Sequence, residues 1–122
     1  MIYGVEHLAG PTRTELDLVE VLQAFADPVR LQIVRYLADA DAPIACHEIP
    51  IPVAKSTGSH HLKVLREAGI VSAEVDGTRK YHTLRCADLD ARFPGLLDSV
   101  IAAAGEDTAL PAVGGHDIEI SA

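Results

Sequence analysis

The stretch that decides the fold is "KSTGSHHLKVLREAGIV", residues 55–71. At the α-helical rotation of about 100° per residue, Leu62, Leu65 and Ala68 share one side of a helix, and hydroxyl, imidazole and basic side chains share the other. Gly69 is a residue type that commonly follows the last residue of a helix. The stretch therefore predicts one amphipathic helix that begins at its first or second residue and has a polar, basic outer face.

Two adjacent histidines in this stretch, His60 and His61, raise the question of a metal site or a catalytic base. Neighbouring residues of a helix do not share a face, whereas residues four apart do. A metal site on one helix would favour the spacing H-x-x-x-H. The helical rotation sends His60 outward and His61 toward the apolar side with Leu62, so the two are not expected to act as a pair.

Three shorter segments precede this helix, and each is predicted to be helical. They are "ELDLVEVLQAF" (15–25), "PVRLQIVRYLADA" (28–40) and "ACHEI" (45–49). Thr14 is the expected cap of the first segment. Asp27 is a good N-cap for the second, and Pro28 suits its first position, where a missing N–H costs nothing. The third is long enough for one or two turns.

A β-hairpin is predicted after the basic helix. Asp76-Gly77 lies between "IVSAEV" and "TRKYHTL", and such a dipeptide between two strand-like runs indicates a tight hairpin turn. Residues 86–105 then predict a final helix disturbed at Pro94-Gly95. The fold class is mainly α with a small β-hairpin (α+β), a winged helix-turn-helix in the order α-α-α-α-β-β-α.

Charge is distributed unevenly along the 122 residues, whose net charge is −8. Residues 55–85 contain six Lys and Arg against three acids, whereas the flanking residues together carry a net charge of −11. Phosphate binding depends on a local patch and not on the total charge, so the basic middle is a candidate nucleic-acid footprint. The alternative is a chance fluctuation among solvated charges.

Several classes of protein are disfavoured by the sequence. There is no run of 18 apolar residues, no basic region of a secretory signal at the N-terminus, and too few cysteines for a disulfide scaffold. Motifs of hydrolases, zinc proteases and nucleotide-binding loops do not occur. We therefore expect a cytoplasmic protein without a membrane partner that is not an enzyme.

The runs "FADPVRLQIVRYL", "KSTGSHHLKVLREAGIV" and "DGTRKYHTLR" together resemble the ArsR/SmtB-type bacterial transcriptional repressors, from about Val19 to Ala104. The resemblance implies a homodimeric repressor that binds double-stranded DNA at an inverted-repeat operator. It also implies a dimer interface formed by the first and last helices. On the last helix the interface residues would be Leu96, Leu97, Val100, Ile101 and Ala104. The alternative is a dimeric protein-interaction module that has lost DNA binding.

The domain organisation follows from the same resemblance. Residues 1–13 are expected to form an N-terminal arm, and residues 14–104 a winged helix-turn-helix domain with dimerisation helices at both ends. Residues 105–122 are small, acidic and Gly-rich, which predicts a flexible tail, in which residues 116–120 are a candidate strand.

The resemblance also assigns DNA-binding positions on the basic helix and the hairpin. The matching residues are Lys55, Ser56, Thr57, Ser59, His60, Lys63, Arg79 and Lys80. Hydroxyl groups can bond base edges or phosphates, and the cations can neutralise phosphates. His60 stands where the family often has Arg, so its contact is expected to depend on pH.

The sensed signal is not defined by the resemblance. Of the family's two common metal sites, the one on the last helix lacks its His residues here. The other lies on the short helix and has two Cys at C-x-C spacing, to which Ala45 and His47 correspond here, with Cys46 between them. Cys46 and His47, with His7 or His116, are the residues from which a metal site could be built. A redox pair of Cys46 with Cys86, a small-molecule effector, a partner protein and no ligand at all stay open.

Overall fold

The computed structural model describes residues 5–105. Its helices are α1 (Leu18–Phe25), α2 (Pro28–Ala38), α3 (Lys55–Ala68), α4 (Cys86–Arg92) and α5 (Leu96–Gly105). Its strands are β1 (Val5–His7), β2 (Ile44–Ala45), β3 (Val71–Asp76) and β4 (Arg79–Leu84). Within this part of the chain no helix is long and apolar enough to cross a membrane. The arrangement is the winged helix-turn-helix fold that the sequence predicts, with differences at the edges.

The helix starts show how local side chains set the element boundaries. The Asp27 carboxylate accepts hydrogen bonds from the backbone N–H groups of Val29 and Arg30, which confirms it as the cap of α2. The predicted cap of α1 was wrong. Asp17 is the N-cap, and its side chain accepts from the N–H of Glu20 at 3.0 Å. Thr14 lies instead in a separate 3₁₀ turn, Arg13–Glu15, which the extended backbone at Leu16 separates from α1.

A four-stranded antiparallel sheet has the order β1-β3-β4-β2. The predicted hairpin is confirmed, with β3 and β4 paired from Val71 opposite Leu84 to Asp76 opposite Arg79. Gly77 has a φ of 66°, as the tight turn requires. The two edge strands were not predicted, since β1 has three residues and β2 has two and neither shows a periodic pattern.

Two predicted helices differ in detail from the observed elements. The segment "ACHEI" supplies the second residue of strand β2 and then forms a single 3₁₀ turn, Cys46–Glu48, in place of one or two α-helical turns. The final helix is divided into α4 and α5 at Pro94-Gly95, where Gly95 has a φ of 82°. A proline and a left-handed glycine in succession end one helix and let the next begin at a new angle.

The apolar side of α3 packs into the core, where Leu62 and Leu65 are almost fully buried. Gly58 lies on the same side and is buried as well. A Cβ atom at Gly58 would lie 3.1 Å from Cδ1 of Ile51 and 3.8 Å from Sγ of Cys46. The glycine therefore lets the segment before α3 approach the helix closely, despite a cost in helix propensity of about 1 kcal/mol relative to alanine.

The segment between β1 and α1 is fastened across the domain by arginine side chains. Arg66 of α3 donates to the carbonyl oxygen of Ala9 at 2.7 Å, and Arg85 donates to that of Pro11 at 2.6 Å. Asp88 accepts from both Arg13 and Arg85. Hydrogen bonds from these two guanidinium groups hold the pKa of the Asp88 carboxyl below its usual value. Within the region expected to be an arm, strand β1 pairs with β3, and Ala9 and Pro11 accept these hydrogen bonds.

The residues expected at the dimer interface on the last helix fall into two groups. Leu97 and Ala104 are each 5% exposed and lie within the chain's own core. Leu96, Val100 and Ile101 are partly exposed and pack against that core. The predicted tail beyond Gly105, with the strand expected at residues 116–120, lies outside the described residues.

Helix α1 carries the large apolar side chains that the described chain leaves exposed. They are Leu18 at 44%, Val19 at 59% and Leu22 at 44%. Leu18 and Leu22 are four residues apart and therefore lie on the same side of the helix. An apolar surface of this kind is typical of a protein–protein contact.

Candidate DNA-binding surface

All eight predicted DNA-binding residues are exposed. Six lie on α3 and two on β4, directly after the hairpin turn. The six residues on α3 are exposed because the opposite side of that helix supplies Leu62, Leu65 and Ala68 to the core. Thr57 is exposed with the others.

Helix α3 and the hairpin enclose an open cleft of about 480 Å³, which we call the basic cleft. Lys55, Lys63, Arg66, Arg79 and Lys80 line it, together with Ser59 and Thr78. Leu8, Ala45 and Leu62 form its apolar part, and Cys46, His47 and His82 complete the lining. Five of the eight predicted residues are therefore brought to one place, while Ser56, Thr57 and His60 lie on α3 outside the cleft.

The charge of the basic cleft is unbalanced. It contains half of the ten Lys and Arg residues of a chain whose net charge is −8, and no Asp or Glu of the described part of the chain lines it. Within residues 5–105, none of its five cations lies in an ion pair, whereas Arg13 and Arg85 both pair with Asp88. Unpaired ammonium and guanidinium groups on one surface favour binding of phosphates, with release of counterions.

Arg66 is the cleft cation that was not named among the predicted DNA-binding residues. It lies three residues after Lys63, so the two are neighbours on the surface of α3. Its guanidinium donates to the carbonyl oxygen of Ala9 at 2.7 Å. The spacing of basic residues along the helix was the signal that could have identified it.

The adjacent histidines have different surroundings, as the helical rotation predicted. His60 is exposed, and His61 is partly buried with its Nδ1 3.1 Å from Nη1 of Arg30. A guanidinium can only donate, so Nδ1 accepts and the imidazole is neutral in this contact. Burial lowers the pKa of His61; the Asp27 carboxylate opposes this, and the Arg30 charge adds to it. Arg30 also donates to the carbonyl oxygen of Ala24, so it links α3 to the end of α1.

His82 is a second histidine whose protonation the fold opposes. It is 5% exposed, and its Nδ1 lies 3.3 Å from the carbonyl oxygen of Ile44, across the pairing of β4 with β2. Burial is the main cause of a lowered pKa, which the hydrogen bond to Ile44 partly offsets.

Stability should consequently decrease in mild acid. Because the pKa values of His61 and His82 are lower in the folded chain than the usual value near 6.5, the unfolded chain binds more protons below that pH. We expect the urea midpoint to be constant above about pH 7 and to fall between about pH 6.5 and 5. The variant His82→Asn should show a shallower decrease. A urea midpoint that does not change between these pH values would contradict the argument from burial. Asp88 does not contribute to the decrease, since the lowered pKa of its carboxyl places its titration below this interval.

Cys46 and His47 do not form a metal centre with their neighbours. Sγ of Cys46 lies 3.8 Å from Oγ of Ser59, and Nε2 of His47 lies 3.4 Å from Nη1 of Arg79. A guanidinium at that nitrogen opposes a cation there. Among the described residues no group of three or more His, Cys, Asp or Glu side chains is arranged to hold a metal ion.

The other candidate partners of that metal or redox site lie elsewhere. His7 contacts Glu74 at 3.3 Å, and His116 lies outside the described residues. Cys46 and Cys86 are both free thiols. The donor set that the structure shows therefore does not fit a zinc-type site.

Comparison with known proteins agrees with this geometry. Residues 25–72 match the family model of a helix-turn-helix domain. The chain is 32% identical over 83 residues to the HTH-type transcriptional regulator YceK of Bacillus subtilis, covering 66% of this chain and 83% of that protein. It is 34% identical over 102 residues to the HTH-type transcriptional repressor SmtB of Mycobacterium tuberculosis, covering 81% of this chain and 71% of that protein.

An archaeal protein shows the same likeness. An HTH-type transcriptional regulator of Methanocaldococcus jannaschii is 39% identical over 64 residues, which are 52% of this chain and 72% of that protein. These relatives are regulators that bind DNA, and their family is not one of enzymes. With an exposed polar helix and a basic hairpin in the winged helix-turn-helix arrangement, the chain belongs to the ArsR/SmtB-type family of DNA-binding transcriptional regulators.

Proposed function

We propose that this regulator is a homodimeric, cytoplasmic repressor that binds an inverted-repeat operator through α3 and the hairpin. The observation that carries the proposal is the basic cleft, where cations from α3 and β4 meet on one surface and no Asp or Glu of residues 5–105 belongs to the lining. The DNA phosphates supply the negative charge that this surface lacks. Repression is supported by the name of the mycobacterial relative, which is a repressor.

Each class of side chain is given a role in this proposal. The outer face of α3 enters the major groove, where Ser56, Thr57, Ser59 and His60 contact base edges or nearby phosphates. Lys55 and Lys63 neutralise phosphates on the groove edges. Arg79 and Lys80 reach the backbone or the minor groove from the hairpin. Since all of them are exposed, none has to leave a buried position to bind DNA.

The dimer is supported by the apolar surface of α1. Leu18, Val19 and Leu22 are exposed in the single chain, and burying them against a second copy would remove apolar area from water. The partly exposed residues of α5 extend the proposed interface, whereas Leu97 and Ala104 lie in the core behind it. A two-fold dimer of this kind reads two inverted half-sites about 34–36 Å apart.

The proposal is tested by selecting preferred duplexes from a random pool and titrating the best duplex at two salt concentrations. We expect inverted repeats to be enriched. For each phosphate contacted, log K should fall by roughly 0.9 per tenfold increase in salt concentration. A single half-site should bind much more weakly than the repeat. Absence of any enriched sequence would contradict sequence-specific binding and favour the alternative, a dimeric interaction module.

Specificity is expected to depend on Ser59 and His60. The double variant Ser59→Ala/His60→Ala should reduce the ratio of selected to random affinity by about tenfold or more, because a lost base contact costs about 1–3 kcal/mol. Fluorescence anisotropy with both duplexes measures the ratio. Thr14→Ala is the control, since this exposed hydroxyl lies in the 3₁₀ turn before α1. An unchanged ratio in the double variant would remove these two residues from the base-reading surface.

A further inference from the structure

The basic cleft contains an apolar part that a DNA backbone does not require. Leu8 at the end of β1, Ala45 of β2 and Leu62 of α3 line the cleft between its cations. Ala45 and Leu62 belong to the core, at 1% and 2% exposed, and form the floor of the cleft, whereas Leu8 is partly exposed and is its main accessible apolar side chain. Phosphodiesters are bound by ammonium, guanidinium, hydroxyl and N–H groups, and none of these is supplied by leucine or alanine side chains.

The size and polarity of the cleft match a ligand site. Its volume of about 480 Å³ lies within the range of about 300–1,000 Å³ that is usual for small-molecule sites. Such sites combine apolar walls with a few convergent polar groups. Here the polar groups include the cations and the hydroxyls of Ser59 and Thr78, and among the residues that the structure describes no carboxylate lines the cleft to compete for them.

The polar groups are also partly fixed before any ligand binds. Arg66 donates to the carbonyl oxygen of Ala9, which holds its guanidinium at the cleft. Arg79 contacts His47 at 3.4 Å across the cleft. Cations gathered in this way repel one another, and an anion between them relieves that repulsion.

We propose that the basic cleft binds a small organic anion, with its acidic group held by the cleft cations and its apolar body against Leu8, Ala45 and Leu62. We further infer that this anion releases DNA, a step that rests on the proposed function. Lys55, Ser59, Lys63, Arg79 and Lys80 belong both to the cleft lining and to the proposed DNA contacts. A ligand that occupies them competes with DNA, and by linkage DNA lowers the affinity for the ligand by the same factor.

Direct binding is tested on the full DNA-free chain by two-dimensional NMR with three probes. These are 1-naphthoate, its neutral analogue 1-naphthalenemethanol, and inorganic phosphate. We expect 1-naphthoate to shift the resonances of cleft residues such as Thr78 and His82 and to bind at least tenfold more tightly than either other probe. Equal binding of the neutral analogue, shifts confined to the α1 surface, or equal binding of phosphate would each overturn the proposal.

A pair of variants that match in shape and differ in charge tests the location. Leu8 is partly exposed, lines the cleft and is not one of the proposed DNA contacts. Leu8→Glu places a carboxylate among the cations and should weaken 1-naphthoate binding about tenfold or more relative to Leu8→Gln, which has nearly the same shape without the charge. Equal affinities of the two variants would place the anion elsewhere and overturn the assignment.

Competition with DNA separates this inference from the proposed function. If 1-naphthoate competes with DNA, a concentration of ten times its dissociation constant should raise the apparent Kd for the selected duplex about elevenfold. Naphthoate binding in the cleft together with no specific DNA binding would refute the proposed function and keep the ligand site. Specific DNA binding together with no naphthoate shifts would refute the ligand site and keep the function. An unchanged Kd for DNA with the cleft occupied would refute the competition.

Discussion

The double variant Lys63→Ala/Lys80→Ala is expected to bind the selected duplex more weakly at 0.1 M salt, by about 50-fold for each protomer that is bound. Both side chains line the basic cleft, one on α3 and one on β4, and neither forms an ion pair within residues 5–105. Each lysine that neutralises one phosphate releases about 0.9 of a counterion. Two lost contacts therefore remove a large part of the salt-dependent binding free energy.

The salt dependence identifies the kind of contact that is lost. The slope of log K against log salt should become less steep by roughly two for each protomer, while the ratio of selected to random affinity stays constant, because phosphates carry no sequence information. Arg35→Ala is the matched control, since it removes one positive charge from α2 outside the cleft. A slope unchanged in the double variant, or changed as much in the control, would contradict the assignment.

Replacing Gly69 with alanine is expected to destabilise the folded chain by about 2–5 kcal/mol. Gly69 ends α3 with a φ of 89°, a conformation that costs other residues about 1–2 kcal/mol. A Cβ atom would also collide with Cδ2 of Leu16 and lie 2.9 Å from Cγ of Pro11. Leu16 is buried, so relief of this overpacking requires movement of the segment before α1 at a further cost of about 1–3 kcal/mol.

Gly77 provides the matched control for Gly69. It has a φ of 66°, and nothing lies within 4 Å of the position that its Cβ would occupy. Gly77→Ala should therefore lower the free energy of unfolding only by the cost of the left-handed backbone conformation, about 1–2 kcal/mol. Urea unfolding of the two variants measures the difference in free energy of unfolding. Equal values would show that the collision with Leu16 is relieved without cost.

Elements whose signals are local were predictable. The cap and proline of α2, the amphipathic pattern and terminal glycine of α3, and the Asp-Gly turn of the hairpin each lie within a few residues of the structure they determine. The outward direction of His60 and the inward direction of His61 followed from helical rotation alone. The start of α1 was predicted three residues too early, because Thr14 is a residue type that favours caps, whereas the side chain that caps the helix is that of Asp17.

Other features depend on contacts between distant residues. Strand β1 exists because β3 offers it an edge, with His7 opposite Glu74, and Arg66 reaches Ala9 across 57 positions of the chain. The burial of Leu97 and Ala104 likewise depends on packing against other helices, because an apolar stripe does not show whether its partner is the same chain or a second copy.

By itself the sequence determined the polar helix, the hairpin and the excess of positive charge between residues 55 and 85, since each of these is a property of neighbouring residues. Only the tertiary structure decided that five cations from two elements surround one cleft, and that Leu8, Ala45 and Leu62 lie between them. The residues that line the cleft span 75 positions of the chain, from Leu8 to His82. Their meeting depends on strand pairing and core packing, which no local pattern encodes.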